Sequence, residues 1–275
     1  MNQPIRTTPF FVVLLAATTV ATATGGAIPI WQVPVTIDQP GAYYLSRDIS
    51  ATDTGAALIT IAADDVTLDL AGHRVERTDT RGDVIGTASN PANVTIRNGT
   101  VIGGANGVNL ENIAGSSFSV RVENLTVRDA AADGIRVATG YEVLVPSHVL
   151  IRDNLVADSG ANGIRVFILD AGRISGNVVR ASGQTGIVVE LSEAMFVREN
   201  NVVGSGAHGV HILDSNSVAV TYNHLARNAG FALRFEGTTD NNCYRGNRLL
   251  DNSGGDIGRN NETQYESLPC TDNPN

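Results

Sequence analysis

Lysine is absent from this chain. All 19 basic residues among the 275 are arginine, which excludes a lysine general base or a Schiff-base lysine. Aromatic residues make up only 5% of the sequence, so a core must be built from Val, Ile, Leu and Ala. No phosphate-binding loop, dinucleotide fingerprint or serine-elbow motif occurs. After the first residues, no apolar run approaches the ~20 residues that a membrane helix needs. Positive charge is in short supply as well. The formal charge is −9, which disfavours general nucleic-acid binding.

What the chain does have begins with a leader pattern. Arg6 supplies a positive start, Phe10 to Ala21 an apolar stretch, and Ala21-Thr22-Ala23 a small-x-small cleavage site. The expectation is a signal peptide over 1–23 and a secreted or periplasmic protein without a membrane span, acting as a monomer. Removing Arg6 with the leader takes the formal charge from −9 to −10. Two cysteines, Cys243 and Cys270, suit an oxidising compartment and are expected to form one disulfide that pins the C-terminal tail. The 29 glycines, with abundant Asn, fit many short strands joined by tight turns.

An internal repeat organises most of the chain. Gly163-Ile164-Arg165-Val166 recurs at Gly186, Gly209 and Ala232, with a degraded copy at Gly255, so the period is 23. Asn154, Asn177, Asn200 and Asn223 form a second column at that spacing, and Ile151, Ile174, Val197, Val220 and Cys243 a third. Within each unit, short alternating runs such as Ile164-x-Val166 read as strands with one buried face. A fixed period in several columns points to stacking of like on like, one unit per coil, ~4.8 Å apart. An antiparallel sandwich would not require identical columns. The asparagine column reads as a ladder of amide hydrogen bonds inside the coil.

These repeats resemble those of the right-handed parallel β-helix superfamily, the pectin-lyase-like fold. The stretch Asp65-Val66-Thr67-Leu68-Asp69-Leu70-Ala71-Gly72-His73 is similar to a first-coil signature of secreted members. The resemblance covers about Ala57 to Gly258 and implies an all-β solenoid of roughly eight coils. Around it, 24–56 is expected to form an N-terminal cap, with Trp31, Tyr43 and Tyr44 over the open end of the core. Residues 259–275 are expected to close the other end. The superfamily includes polysaccharide lyases, polygalacturonase-type hydrolases, alginate epimerases and non-catalytic proteins.

Chemistry is sought on the outward face of the repeated strand. In Gly-Ile-Arg-Val the Ile and Val point in, so the Arg points out. The outward column runs Asn109, Arg136, Arg165, Val188, His211, Arg234; two residues further along run Glu111, Ala138, Phe167, Glu190, Leu213, Glu236. From Gly107 to Gly134 is 27 residues and from Gly134 to Gly163 is 29, so two insertions follow this strand, at about 111–118 and 138–147. Tyr141 sits on the longer one. Loops on one flank of one sheet form a wall and hence a groove.

The expected ligand is an acidic polysaccharide. Arg binds a uronate carboxylate bidentately, and neutralising it acidifies the adjacent C5 proton, which His or Tyr then removes. Arg136, Arg165 and Phe167 are the expected substrate-binding residues. Arg234 would neutralise, and His211, His208 or Tyr141 would act as base or acid. Elimination or C5 epimerisation follows from this set. An inverting hydrolase is a competing reading, with Glu190 and Glu236 two coils apart, ~9.6 Å along the stack. The paired aspartates of polygalacturonases and the Asp-Pro-His-Asp motif of large alginate epimerases are missing, and Ala207-His208-Gly209 only resembles a Gly-His-Gly element. A non-catalytic sugar-binding, adhesion or envelope protein is therefore the other class to weigh. No cofactor is expected. Asp170, Glu193 and Asn216 form a turn column where calcium could sit, though a polar turn is the plainer reading.

Overall fold

The computed structural model describes residues 26–52, 55–88, 90–112, 118–139, 147–238, 240–259 and 268–270. Every strand pairing among them is parallel, and none of these residues is helical. The chain winds as a right-handed parallel β-helix. Each coil places one strand in a ten-stranded sheet and then two in an eighteen-stranded sheet. The long strand Phe118–Arg128 shows how those two are joined. It pairs first with Ser147–Arg152 and then with Leu155–Ala157, turning the corner at Asn124, whose φ is +55°. Nine strands of the ten-stranded sheet lie between Ala57–Ile61 and Gly255–Arg259, one more than the sequence suggests.

The winding also begins earlier than Ala57. Val35–Ile37 pairs in parallel with Ala57–Ile61, and Gly41–Leu45 pairs with Val66–Asp69. The N-terminal segment is thus a turn of the helix itself as well as its end. Tyr43 lies buried there, whereas Trp31 is exposed. The leader and most of the C-terminal tail lie outside the described residues.

Alternation determines what is buried. Ile164 and Val166, Ile187 and Val189, and Val210 and Ile212 stack in successive coils with no exposed surface. Each such burial contributes roughly 1.5–3 kcal/mol. The motif glycine is required by close approach. A Cβ on Gly186 would overlap Val202 Cγ1 and lie 2.8 Å from the Gly209 carbonyl oxygen.

The asparagine column forms a buried ladder. The Asn177 backbone and side-chain amides each donate to Asn200 Oδ1 at 3.0 Å, while Asn200 Nδ2 donates to the Ile174 carbonyl at 2.9 Å and Asn223 Oδ1 at 3.0 Å. Asn154 precedes this run and Asn247 continues it. Buried turn backbone must find partners, and here the side chains supply them.

The strict 23-residue period fails at the last coil. Tyr244, not Cys243, aligns with Val220, and Gly255 aligns with Phe231 rather than Ala232. One extra residue enters between Glu236 and Asp240, where Gly237 adopts φ +76°. Tyr244 therefore takes the inward position and packs against Phe235, ring centroids 6.2 Å apart. Cys243 moves to the column of Ala219 and forms the disulfide with Cys270 across 27 residues of sequence.

Candidate functional site

The outward face of the ten-stranded sheet has the register that the repeat implies. Asn109, Arg136, Arg165, Val188, His211 and Arg234 are aligned on six successive strands. Glu111, Ala138, Phe167, Glu190, Leu213 and Glu236 align beside them.

Each arginine of this column is ion-paired to a glutamate. Arg136 is ion-paired with Glu111 and donates to Asn109 Oδ1 at 3.0 Å; Asn109 in turn donates to Asp83 at 2.9 Å. Arg165 donates to Glu190 through Nε and Nη2, at 3.2 and 2.7 Å, and lies 5.7 Å from the Phe167 ring centroid. Arg234 reaches Glu236 at 3.4 Å and lies 5.5 Å from the Phe231 ring. The physical reason is the second column. Glutamates stand two residues along from these arginines, on the same or a nearby strand, and a half-buried guanidinium finds a carboxylate there.

The far end of this face gathers the expected catalytic set. His208 and His211 meet edge to face with centroids 5.3 Å apart, and His208 stacks on Phe231 at 5.8 Å. The Phe231 backbone N–H donates to His208 Nδ1 at 3.0 Å, so the neutral ring carries its proton on Nε2. His211 Nε2 lies 3.3 Å from Glu236 without the alignment of a hydrogen bond. That carboxylate favours the tautomer protonated at Nε2 and leaves Nδ1 as the acceptor. Burial pushes both histidines below their ordinary pKa. For His208 the neighbouring His211 and the Arg234 cation add to that effect; for His211 the Glu236 carboxylate opposes it.

In the column between Arg165 and His211 stands Val188, buried at 6% exposure. The structure thus brings together His208, His211, Glu190, Arg234 and Glu236, with Arg165 and Phe167 on the adjoining strand Ile164–Phe167. Arg136 belongs to the separate Asp83–Asn109–Glu111 network. Tyr141 and the central parts of both insertions lie outside the described residues. Phe231 was missed from sequence, although the 23-residue column through His208 points to it. Asp83 carried no such signal, because its coil precedes the regular repeat.

Among the described residues, no three His, Cys, Asp or Glu side chains gather to hold a metal ion. In the turn column, Asn216 Oδ1 already accepts the Asp240 N–H at 2.8 Å, and Glu193 and Asn216 pair as a parallel bridge. No helix among the described residues is long and apolar enough to cross a membrane.

Coil winding, asparagine ladder and outward polar face together define a right-handed parallel β-helix. The profile of the family described as right handed beta helix region matches residues 106–268, and the chain belongs to that family. Tailspike protein 2 of Escherichia coli O157:H7 bacteriophage CAB120 is similar in structure. Its TM-score is 0.53 at 16% identity, covering 81% of this chain and 37% of the tailspike. DFA-IIIase from Arthrobacter chlorophenolicus A6, in complex with GF2, gives a TM-score of 0.52 at 15% identity, covering 78% of this chain and 59% of the enzyme. The chain therefore spans less than two thirds of either protein, and the likeness is one of fold. No curated protein matches this sequence.

Proposed function

We propose that this protein is a carbohydrate-active β-helix, secreted or periplasmic, that receives a polysaccharide on the outer face of its ten-stranded sheet. The observation that carries the reading is His211. It is a half-buried imidazole with a lowered pKa, held beside Glu236 and separated from Arg165 along the column only by Val188. A neutral histidine at working pH is the form that accepts a proton. The Cys243–Cys270 disulfide and the leader pattern support export.

The chemistry fits elimination or epimerisation of a uronate unit. Glu190 takes two of the five N–H donors of Arg165, which leaves donors for a substrate carboxylate. With the sugar over Val188, His211 Nδ1 takes the C5 proton. The electron pair then either forms a C4–C5 double bond and expels the glycosidic oxygen, which takes a proton from His208 Nε2–H, or C5 takes a proton from water on the opposite face, giving the epimer. Inverting hydrolysis is less well served. Glu190 and Glu236 each engage an arginine, which occupies oxygens that a leaving group and a water would need.

The test is incubation with pectate, alginate and neutral polymers, following ultraviolet absorbance of the unsaturated uronate, reducing ends and the ratio of C5 epimers. The expected result is an elimination or epimerisation signal on a uronate polymer that His211→Asn abolishes. Silence in all three readouts, with binding retained, would replace the enzyme by a non-catalytic sugar-binding β-helix.

A further inference from the structure

A groove lies on the eighteen-stranded sheet, away from the histidine cluster. It has a volume of about 410 Å³, within the range of small-ligand sites. Its lining follows one outward column. Arg121, Leu150, Arg173 and Phe196 are aligned on four successive strands. His148 stands beside them, while the small side chains of Ala171 and Ala194 keep the neighbouring surface low.

Three features of this column bear on what it could bind. First, neither Arg121 nor Arg173 has an ion-pair partner among the described residues, whereas Arg152 one column over is held by Glu123 at 2.8 Å and Arg165 by Glu190 at 2.7 Å. Second, both arginines are exposed in a protein whose formal charge is −9, and no carboxylate among the described residues lines the groove. Asp170 and Glu193 stand at the preceding turn, where the Asp170 backbone N–H donates to Ser147 Oγ. Third, Phe196 is 48% exposed, a large apolar ring with solvent on an outward sheet position.

We propose that this groove binds a carboxylate-bearing oligosaccharide. Coil stacking places Arg121 and Arg173 two strands apart, ~9.6 Å along the axis, with Phe196 ~4.8 Å further on. Two sugar carboxylates take the two guanidinium groups as charge-assisted, bidentate partners. The apolar face of the next sugar ring lies on Phe196, and Leu150 fills the space between the arginines. Nucleic acid would also need cations, but a protein of formal charge −9 repels a long polyanion, whereas a short oligosaccharide stays within the groove. The site stands independently of the catalytic reading, since it shares no residue with the ten-stranded face.

Calorimetric titration with trigalacturonate, with maltotriose as the neutral counterpart, tests the proposal. Arg121→Gln with Arg173→Gln is expected to weaken trigalacturonate binding at this site at least tenfold, and Phe196→Ala several-fold. All three residues point outward, so circular dichroism and thermal midpoint are expected to stay at the wild-type values. Arg180→Gln with Arg227→Gln, two exposed arginines elsewhere, should change nothing. In Arg165→Gln with His211→Asn, groove binding should persist even if all turnover is lost, which separates this site from the catalytic one. Equal binding of maltotriose, absence of trigalacturonate binding, or binding indifferent to the Arg121 and Arg173 changes would each overturn the proposal.

Discussion

Replacing Asn200 by Ala removes one step of the buried ladder, and its cost follows from the hydrogen bonds that are lost. The Asn200 carboxamide accepts two bonds from Asn177 and donates one each to Ile174 and Asn223. Alanine leaves the Asn177 backbone N–H and one of its side-chain N–H groups without partners at a site 1–2% exposed. Each orphaned buried donor costs about 1–3 kcal/mol, so the substitution should destabilise by about 4 kcal/mol. That is a large part of the 5–15 kcal/mol typical of a domain. Asn201 is the control, because it is adjacent in sequence but exposed; Asn201→Ala should fall within about 0.5 kcal/mol of wild type. Urea unfolding followed by far-ultraviolet circular dichroism measures both. A loss below about 1 kcal/mol for Asn200→Ala would refute the view that the ladder is a structural support.

Other consequences are equally direct. Gly186→Ala forces a Cβ into Val202 and the Gly209 carbonyl, and overpacking of this kind should lower stability by about 1–3 kcal/mol in the same urea assay. His208 and His211 should titrate below the ordinary histidine value of about 6.5 in imidazole NMR. Because their folded pKa values are depressed, the stabilisation they contribute should be complete above about pH 6.5 and disappear as pH falls from there through the folded values. His211→Asn should flatten part of that slope. Cys243→Ser with Cys270→Ser opens a loop spanning 27 residues of sequence separation, which corresponds to about 3–4 kcal/mol on loop-entropy grounds; hydrogen exchange should locate the loosening in the final coils.

Much of the architecture is legible in the sequence because a solenoid repeats its environment. Ile164 and Val166 recur every 23 residues as they meet the same neighbours in each coil, so strand, face and register follow from counting. Counting fails where one residue is inserted. The bulge between Glu236 and Asp240 turns Cys243 outward and Tyr244 inward, and hydrophobicity alone does not reveal it, since either side chain can be buried. The positions of His208, His211 and Arg234 on one outward face follow from the same register. Their partners do not. A carboxylate two residues along a strand, as Glu236 is from Arg234, meets the guanidinium only through side-chain rotamers, which sequence spacing does not determine. The Arg121–Arg173 groove is harder still to foresee. It depends on which strand of the bent sheet each residue occupies and on which described side chains line the groove, and neither leaves a periodic mark.

The central claim is that a sugar chain lies over Val188 between Arg165 and His211. Methyl and imidazole NMR of the protein, titrated with uronate oligosaccharide, tests it most directly. The account predicts perturbation of the Val188 methyls and of the His211 and His208 rings, saturating together and abolished by Arg165→Gln. Perturbation confined to other surfaces, with Val188 and both imidazoles unmoved at saturation, would contradict it.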